Sequence, residues 1–238
     1  MATIASRLQN VEQRIARACA AAGRSVQSVT LLAVSKTFAP ERIREAHAAG
    51  QHRFGENYPQ EAVAKMDALA DLRERIEWHL VGPLQSNKTR VVAERFDWIH
   101  SVDRLRIAER LSAQRPPRLA PLQVCLQVNI SGEASKGGLA PGEVAVLAQA
   151  VARLPRLTLR GLMAIPEPGG DDAAMRRPHR ALRELLTALQ RVDGLAGLDT
   201  LSMGMSADLE AAIAEGATLV RVGTAIFGER ALTVGDRG

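Results

Sequence analysis

Val29-Thr30-Leu31-Leu32-Ala33-Val34, followed at once by Ser35-Lys36-Thr37, is the stretch from which the fold can be read. The run is short and apolar, and Val29, Thr30 and Val34 are β-branched, as suits a strand covered on both faces. Side chains alternate along a strand, so Lys36 falls on the face of Leu32 and Val34, where the strand ends. An amine rooted in such surroundings loses hydration, and its pKa is pushed down. A neutral amine at neutral pH condenses with an aldehyde to a Schiff base. A strand-end lysine reaching to solvent is the alternative. Composition bears on the choice. Of 31 Lys plus Arg, only four are lysines: Lys36, Lys65, Lys88 and Lys136. Arginine replaces lysine as a surface cation but cannot release its proton for imine chemistry, so a retained lysine invites explanation.

Outward from this strand the chain alternates. Ile4, Leu8, Val11 and Ile15 recur at helical spacing, with Arg7, Arg14 and Arg17 off the stripe, which predicts an amphipathic opening helix ending near Gly23. Further strands are expected at His52–Gly55, Ile76–Val81, Trp98–Val102, Leu122–Ile130, Leu157–Met163, Leu198–Ser202 and Leu219–Val222. Helices are expected at Pro40–Ala49, Pro59–Leu72, Ser86–Phe96, Asp103–Gln114, Pro141–Leu154, Met175–Val192 and Ser206–Glu215. Asp103 reads as a helix cap, and Pro178 as a flaw in its helix. Eight strand–helix alternations in 238 residues predict an α/β chain: a (β/α)8 TIM barrel with an extra N-terminal helix. No linker-like stretch divides it, so residues 1–238 read as one domain. A doubly wound open sheet is the alternative, disfavoured because no glycine fingerprint follows the first strand.

Composition excludes several classes. The chain is 46% hydrophobic and 24% charged, with a net charge of +5. Its arginines are scattered rather than gathered into a basic stripe, which argues against a nucleic-acid partner. No apolar run approaches the roughly 20 residues of a membrane span. Residues 1–22 lack an apolar signal core. Cys19 and Cys125 have no CxxC neighbour, so a reducing cytoplasmic compartment is expected. The five histidines share no metal spacing with cysteines or carboxylates, and His79 and His100 read as satisfied polar residues within the fold.

A barrel carries its active site at the C-terminal ends of its strands, and phosphate is often held after strands seven and eight. There the sequence offers Ser202-Met203-Gly204 and Arg221-Val222-Gly223-Thr224. Small residues let backbone N–H groups approach an anion, and hydroxyls add donors. Glycines that merely turn the chain are the alternative. A lysine amine on strand one and an anion site across the barrel fit one ligand, pyridoxal 5′-phosphate (PLP), with an aldehyde at one end and a phosphate at the other. Arg221 shares a strand face with Leu219 and Gly223 and can point inward, or outward to a helix carboxylate. Facing inward, a permanent cation beside the pyridine nitrogen disfavours ring protonation and weakens the ring as an electron sink.

Several stretches carry a family resemblance. They are Leu32–Thr37, Phe54-Gly55-Glu56-Asn57-Tyr58, Trp78–Lys88, Gly161–Pro166, Leu201–Asp208 and Arg221–Gly228. Together they resemble the YggS-like pyridoxal phosphate homeostasis proteins over essentially the whole chain. The family is similar to the N-terminal barrel of alanine racemase. The resemblance implies a fold-type III barrel with PLP on Lys36 and phosphate held around Ser202, Met203, Gly223 and Thr224. It also implies Asn57 in the cofactor pocket and Arg221 facing the ring nitrogen. It implies a carrier that keeps vitamin B6 and amino-acid pools balanced, without an established reaction. Arg176-Arg177-Pro178-His179 departs from the family pattern and puts the helix start there in doubt.

A PLP-dependent racemase-like enzyme is the alternative. Racemisation needs acid/base groups on both faces of the substrate α-carbon. In alanine racemase the opposing base is a tyrosine from a second domain. Here Ala225–Gly238 leave no room for that domain, and the single tyrosine, Tyr58, follows strand two. The expectation is therefore a monomeric carrier that hands PLP to apo-enzymes. Lys88 and Lys136 read as solvated, with anion contact or gating of the barrel mouth as their alternatives.

Overall fold

The computed structural model describes residues 2–133, 136–166 and 169–229. Its strands are β1 (Thr30–Val34), β2 (Arg53–Glu56), β3 (Glu77–Leu80), β4 (Trp98–Val102), β5 (Leu122–Gln127), β6 (Leu157–Met163), β7 (Thr200–Ser202) and β8 (Leu219–Val222). All pair in parallel and in chain order, and β8 closes on β1 through Thr30↔Leu219 to Ala33↔Val222. The helices are α1 (Ile4–Ala21), α2 (Pro40–Ala48), α3 (Pro59–Ala68), α4 (Thr89–Arg95), α5 (Leu105–Gln114), α6 (Val144–Ala152), α7 (Asp172–Leu189), α8 (Leu209–Ala214) and α9 (Thr224–Phe227). The expected barrel is therefore present, and the open sheet is excluded.

Closure follows from two-sided burial. On β3, Trp78 and Leu80 face the helices, while His79 between them faces the barrel interior. On β8, Val220 and Val222 pack outward in the same large core, and Leu219 and Arg221 point inward. Parallel strands covered on both faces read as continuous apolar runs for this reason. Helix α1 lays Ile4, Leu8, Val11 and Ile15 into the outer core, as its spacing predicts. The barrel interior is less ordinary. It holds two small apolar groups, Leu32–Val81–Leu219 and Trp98–Cys125–Met163, and a set of polar side chains.

Three local expectations are corrected. Asp103 does not cap α5. The cap position is Arg104, without a side-chain bond, and Asp103 pairs with the Arg104 guanidinium instead. Helix α7 begins at Asp172, where Asp171 accepts the Ala174 N–H at 2.8 Å, and it continues through Pro178. The proline removes one backbone donor, but buried Leu182, Leu186 and Leu189 hold the helix against the barrel. Strand β5 stops at Gln127, and Val128 keeps only a single bridge to Leu139. Beyond it the Asn129 N–H donates to Leu139 O at 2.9 Å, and its side chain donates to Glu133 O at 2.7 Å.

Among the described residues no helix is long and apolar enough to cross a membrane, and no cluster of His, Cys, Asp and Glu could hold a metal. Much of the arginine charge is spent locally, in pairs such as Arg44–Asp71, Arg73–Asp97 and Arg160–Asp199.

Candidate functional site

Lys36 lies two residues beyond the end of β1 and lines a cavity of about 340 Å³ at the C-terminal end of the barrel. Val34, Phe38, Val81 and Ile165 give it apolar walls, Asn57 and Arg221 give it polar ones, and Met205, Ser206, Ala207, Gly223, Thr224 and Gly228 complete it. Larger depressions exist, about 650 Å³ beside α1 and about 930 Å³ at the opposite end of the barrel. Both lie away from Lys36.

The backbone around Lys36 is pinned on both sides. Ser35 donates its N–H to Gly55 O at 2.9 Å and its hydroxyl to Glu56 Oε1 at 2.6 Å. Thr37 adopts a left-handed backbone (φ 67°) and donates its N–H to Glu61 Oε1 at 2.5 Å. Such a conformation costs a non-glycine residue energy and persists where neighbours impose it. Behind them lies Lys65, only 5% exposed, with Nζ at 2.8 and 2.9 Å from the two Glu56 oxygens, 2.8 Å from Ser35 O and 2.6 Å from Glu61 Oε1. This explains a second retained lysine. A compact ammonium with three donors meets acceptors from β1, β2 and α3 where a planar guanidinium would not fit. Burial pushes the Glu56 carboxyl up, against the charge of Lys65 and the hydrogen bonds from Lys65 and Ser35.

Asn57 is placed by a close approach. A Cβ on Gly82 would lie 2.2 Å from Asn57 O, so only glycine lets β3 run on beside it. Gly223 plays a similar part next to Lys36, where an added Cβ would come within 3.0 Å of Val34 O.

Arg221 points inward. Nη1 donates to Ser202 O at 2.6 Å and to Ser202 Oγ at 2.7 Å, and Nη2 donates to Ala164 O at 2.8 Å. Burial lowers its pKa to about 10, against the charges of Asp208 and Cys125, and it remains a cation at neutral pH. The loop opposite is shaped by Asp208, which accepts the Met205 N–H at 2.7 Å and contacts His179 Nε2 at 2.9 Å. Burial pushes that carboxyl up, but the His179 bond and the Met205 N–H outweigh it and leave it below the usual carboxylate range. Ser206 and Thr224 present hydroxyls at the cavity, and Thr224 opens α9. The first N–H groups of a helix have no acceptor within it.

Of the residues singled out from sequence, the structure brings Lys36, Asn57, Arg221, Gly223 and Thr224 to one cavity. Ser202 and Met203 are not on its wall. Ser202 is fully buried, its hydroxyl bonded to Arg221 and to His100. Met203 is packed in the outer core and gives its N–H to Leu219 O at 3.1 Å. Gly204 (φ 90°) then turns the chain, and the wall begins at Met205. Sequence reasoning missed Met205-Ser206-Ala207. The signal was Asp208, three residues after Met205 at the start of a helix, where an aspartate tends to tie down the preceding loop. Phe38 and Ile165 carried no signal beyond hydrophobicity. His79 and His100 are buried and hydrogen-bonded, as expected. Lys136 bonds Glu133 Oε1 at 2.8 Å outside this cavity.

Comparison with known proteins follows the same lines. The family model of the alanine racemase N-terminal domain matches residues 7–231. The pyridoxal phosphate homeostasis protein of Pseudomonas aeruginosa is 60% identical over 230 residues, covering 97% of each chain. That of Escherichia coli K12 is 52% identical over 238 residues, covering 97% of this chain and 98% of the relative. Among solved structures, PipY of Synechococcus elongatus with PLP bound is 40% identical with a TM-score of 0.82, covering 95% of this chain and all of that one (100%). This chain belongs to the alanine racemase N-terminal-domain family and, within it, to the pyridoxal phosphate homeostasis proteins.

Proposed function

We propose that the chain binds PLP in the Lys36 cavity and serves intracellular PLP and amino-acid homeostasis as a carrier, with the Lys36 amine as a reversible covalent tether. The observation that carries this reading is the convergence of Lys36, Arg221, Gly223 and Thr224 on one cavity. The donor set fits the ligand. An amine answers the aldehyde, a buried cation faces the ring, and two hydroxyls with a helix start supply donors for a phosphate dianion. The cavity volume is at the lower end of the range for small-molecule sites. Its apolar walls are suited to cover the ring. The resemblance to a PLP-bound relative of 40% identity supports the same assignment.

The carrier reading is preferred to a racemase-like one because of what the cavity lacks. When bound, PLP supplies an electron sink for carbanions, and the protein must supply the proton transfers. Among the described residues that line the cavity, Lys36 and Arg221 are the ionisable ones, and no His, Tyr, Cys, Asp or Glu stands there to serve as an opposing base. Tyr58 is 53% exposed and lies off the wall. Arg221 disfavours ring protonation. Apo-forms of PLP-dependent enzymes in the cytoplasm are the recipients this reading implies.

The test is to load the purified protein with PLP, record its absorbance, reduce with borohydride and map the modified peptide. The pyridoxyl group is expected on Lys36, and Lys36→Ala is expected to remove the band. A principal adduct confined to Lys65 or Lys88 refutes the assignment.

A further inference from the structure

Four polar side chains cross the barrel interior in single file. Glu77 Oε1 lies 2.8 Å from His79 Nε2, His79 Nδ1 lies 2.9 Å from His100 Nε2, and His100 Nδ1 lies 2.7 Å from Ser202 Oγ. Ser202 Oγ accepts from Arg221 Nη1 at 2.7 Å. The file begins at the N-terminal end of the barrel, where Glu77 also accepts from Arg53 at 3.0 Å. It ends at Arg221 in the Lys36 cavity.

The direction of every bond is forced. A guanidinium only donates, so Ser202 Oγ accepts from Arg221, and with His79 donating to the Glu77 carboxylate and both rings neutral, the Ser202 proton goes to His100 Nδ1. His100 then carries its proton on Nε2 and donates to His79 Nδ1. His79 in turn donates from Nε2 to the Glu77 carboxylate. Reversal would set the His79 lone pair against an ionised carboxylate. The charge states agree with this order. Burial holds His79 below the usual histidine range despite the bond and charge of Glu77, and burial with the charges of His79 and Arg221 holds His100 well below it. Burial pushes Glu77 up, but the His79 bond and the Arg53 charge outweigh it. The His79 ring is also held in plane by Trp98, stacked at 5.3 Å and 9°.

Barrel interiors are ordinarily filled by branched aliphatic residues. A polar file there is tolerated only when every member is satisfied. Among the described residues Arg221 has no carboxylate partner, and its Nη1 rests on the end of this file. We propose that Glu77, His79, His100 and Ser202 form a one-way hydrogen-bonded chain that fixes the Arg221 guanidinium at the cavity floor, making them positioning residues for the ring end of the cofactor. The inference rests on the PLP reading of the cavity for its cofactor half. The chain itself does not depend on it.

Two measurements separate the halves. The first uses the full chain without cofactor, labelled with ¹⁵N-histidine, and reads long-range ¹H–¹⁵N correlations at pH 7. His79 and His100 are both expected to be neutral with the proton on Nε2. A proton on Nδ1 of either, or a charged ring, overturns the chain. The second uses PLP labelled with ¹⁵N at the ring nitrogen. Ser202→Ala and His100→Phe are expected to weaken PLP binding about tenfold, the scale of one lost bond to a charged group, and to move the ring-nitrogen resonance. His100→Gln can still accept from Ser202 and donate to His79, and it is expected to restore both to within about twofold. Ser202→Ala removes a single hydroxyl and carries the test if His100→Phe fails to fold. Parental affinity and ring resonance in Ser202→Ala overturn the positioning role. If the parent protein takes up no PLP, the cofactor reading fails, and the histidine signals alone decide the chain.

Discussion

Replacing Lys65 by methionine isolates the buried cluster behind Lys36. Methionine keeps the length and bulk of the side chain but removes the ammonium. Glu56, fully buried, would lose the donor to both its oxygens and keep only the Ser35 hydroxyl. Ser35 O and Glu61 would lose a partner as well. Removing one member of a buried pair typically costs about 3–5 kcal/mol, because the remaining charge is stranded. The loss depends on pH. Burial already raises the Glu56 pKa in the folded protein, and without Lys65 it rises further. A group whose folded pKa lies above its unfolded value stabilises the protein below the unfolded pKa, and that contribution is lost as pH rises through the folded one. Lys65→Met is therefore expected to be most damaging near pH 8 and to recover toward acid pH, where Glu56 is neutral. Adding Glu56→Gln should recover much of the loss at pH 8, since no fully buried charge is then stranded and Glu61 is part-exposed. Urea unfolding midpoints at pH 5.5 and pH 8 for the parent, both single variants and the double variant measure this. A loss below about 0.5 kcal/mol at pH 8, the range of ordinary surface changes, would refute the reasoning. So would a loss that is equal at both pH values and unrelieved by Glu56→Gln.

Three further outcomes are expected. Thr224→Val and Ser206→Ala should weaken PLP more than pyridoxal, by about 1.5–3 kcal/mol for each bond to a phosphate oxygen; paired titrations with the two ligands check this, and equal losses would place the phosphate elsewhere. Gly82→Ala should cost about 1–3 kcal/mol of stability, as overpacking does, because its Cβ would meet Asn57 O at 2.2 Å; thermal unfolding and PLP titration should report the loss of stability and the displaced Asn57 together. The PLP-loaded protein should exchange α-protons of L- and D-amino acids in deuterated buffer far below ordinary enzyme rates; turnover on the order of 1 s⁻¹ or faster would restore the racemase-like reading.

The fold was legible because a parallel strand between two buried faces writes itself as an apolar run, and eight such runs alternate with helical stripes. Lys36 was legible for the same reason, as a polar residue in phase with Leu32 and Val34 at a strand end. Thr224 and Gly223 were found from their place after β8. Ser202 went astray by a matter of depth. It was placed by its position at the end of strand seven, but a residue inside a strand and a residue on the loop above it differ by one layer, and that layer separates the Arg221 contact from the cavity wall at Met205. Lys65 was beyond reach for another reason. Its burial depends on how α3 docks over the ends of β1 and β2, and a partner nine residues away across a strand–helix turn, Glu56, leaves no periodic trace. The polar file inside the barrel shows the limit most clearly. His79, His100, Ser202 and Arg221 all face inward, whereas the sequence left Arg221 open between inward and outward and marked the two histidines only as satisfied polar residues within the fold. That they meet end to end depends on the stagger of four strands around a closed barrel, including the register shift between Ile99 and Val102. Each strand records the direction its side chains face, but only the closed sheet sets the level at which they meet, and it is that level which joins Glu77 at one end of the barrel to Arg221 at the other.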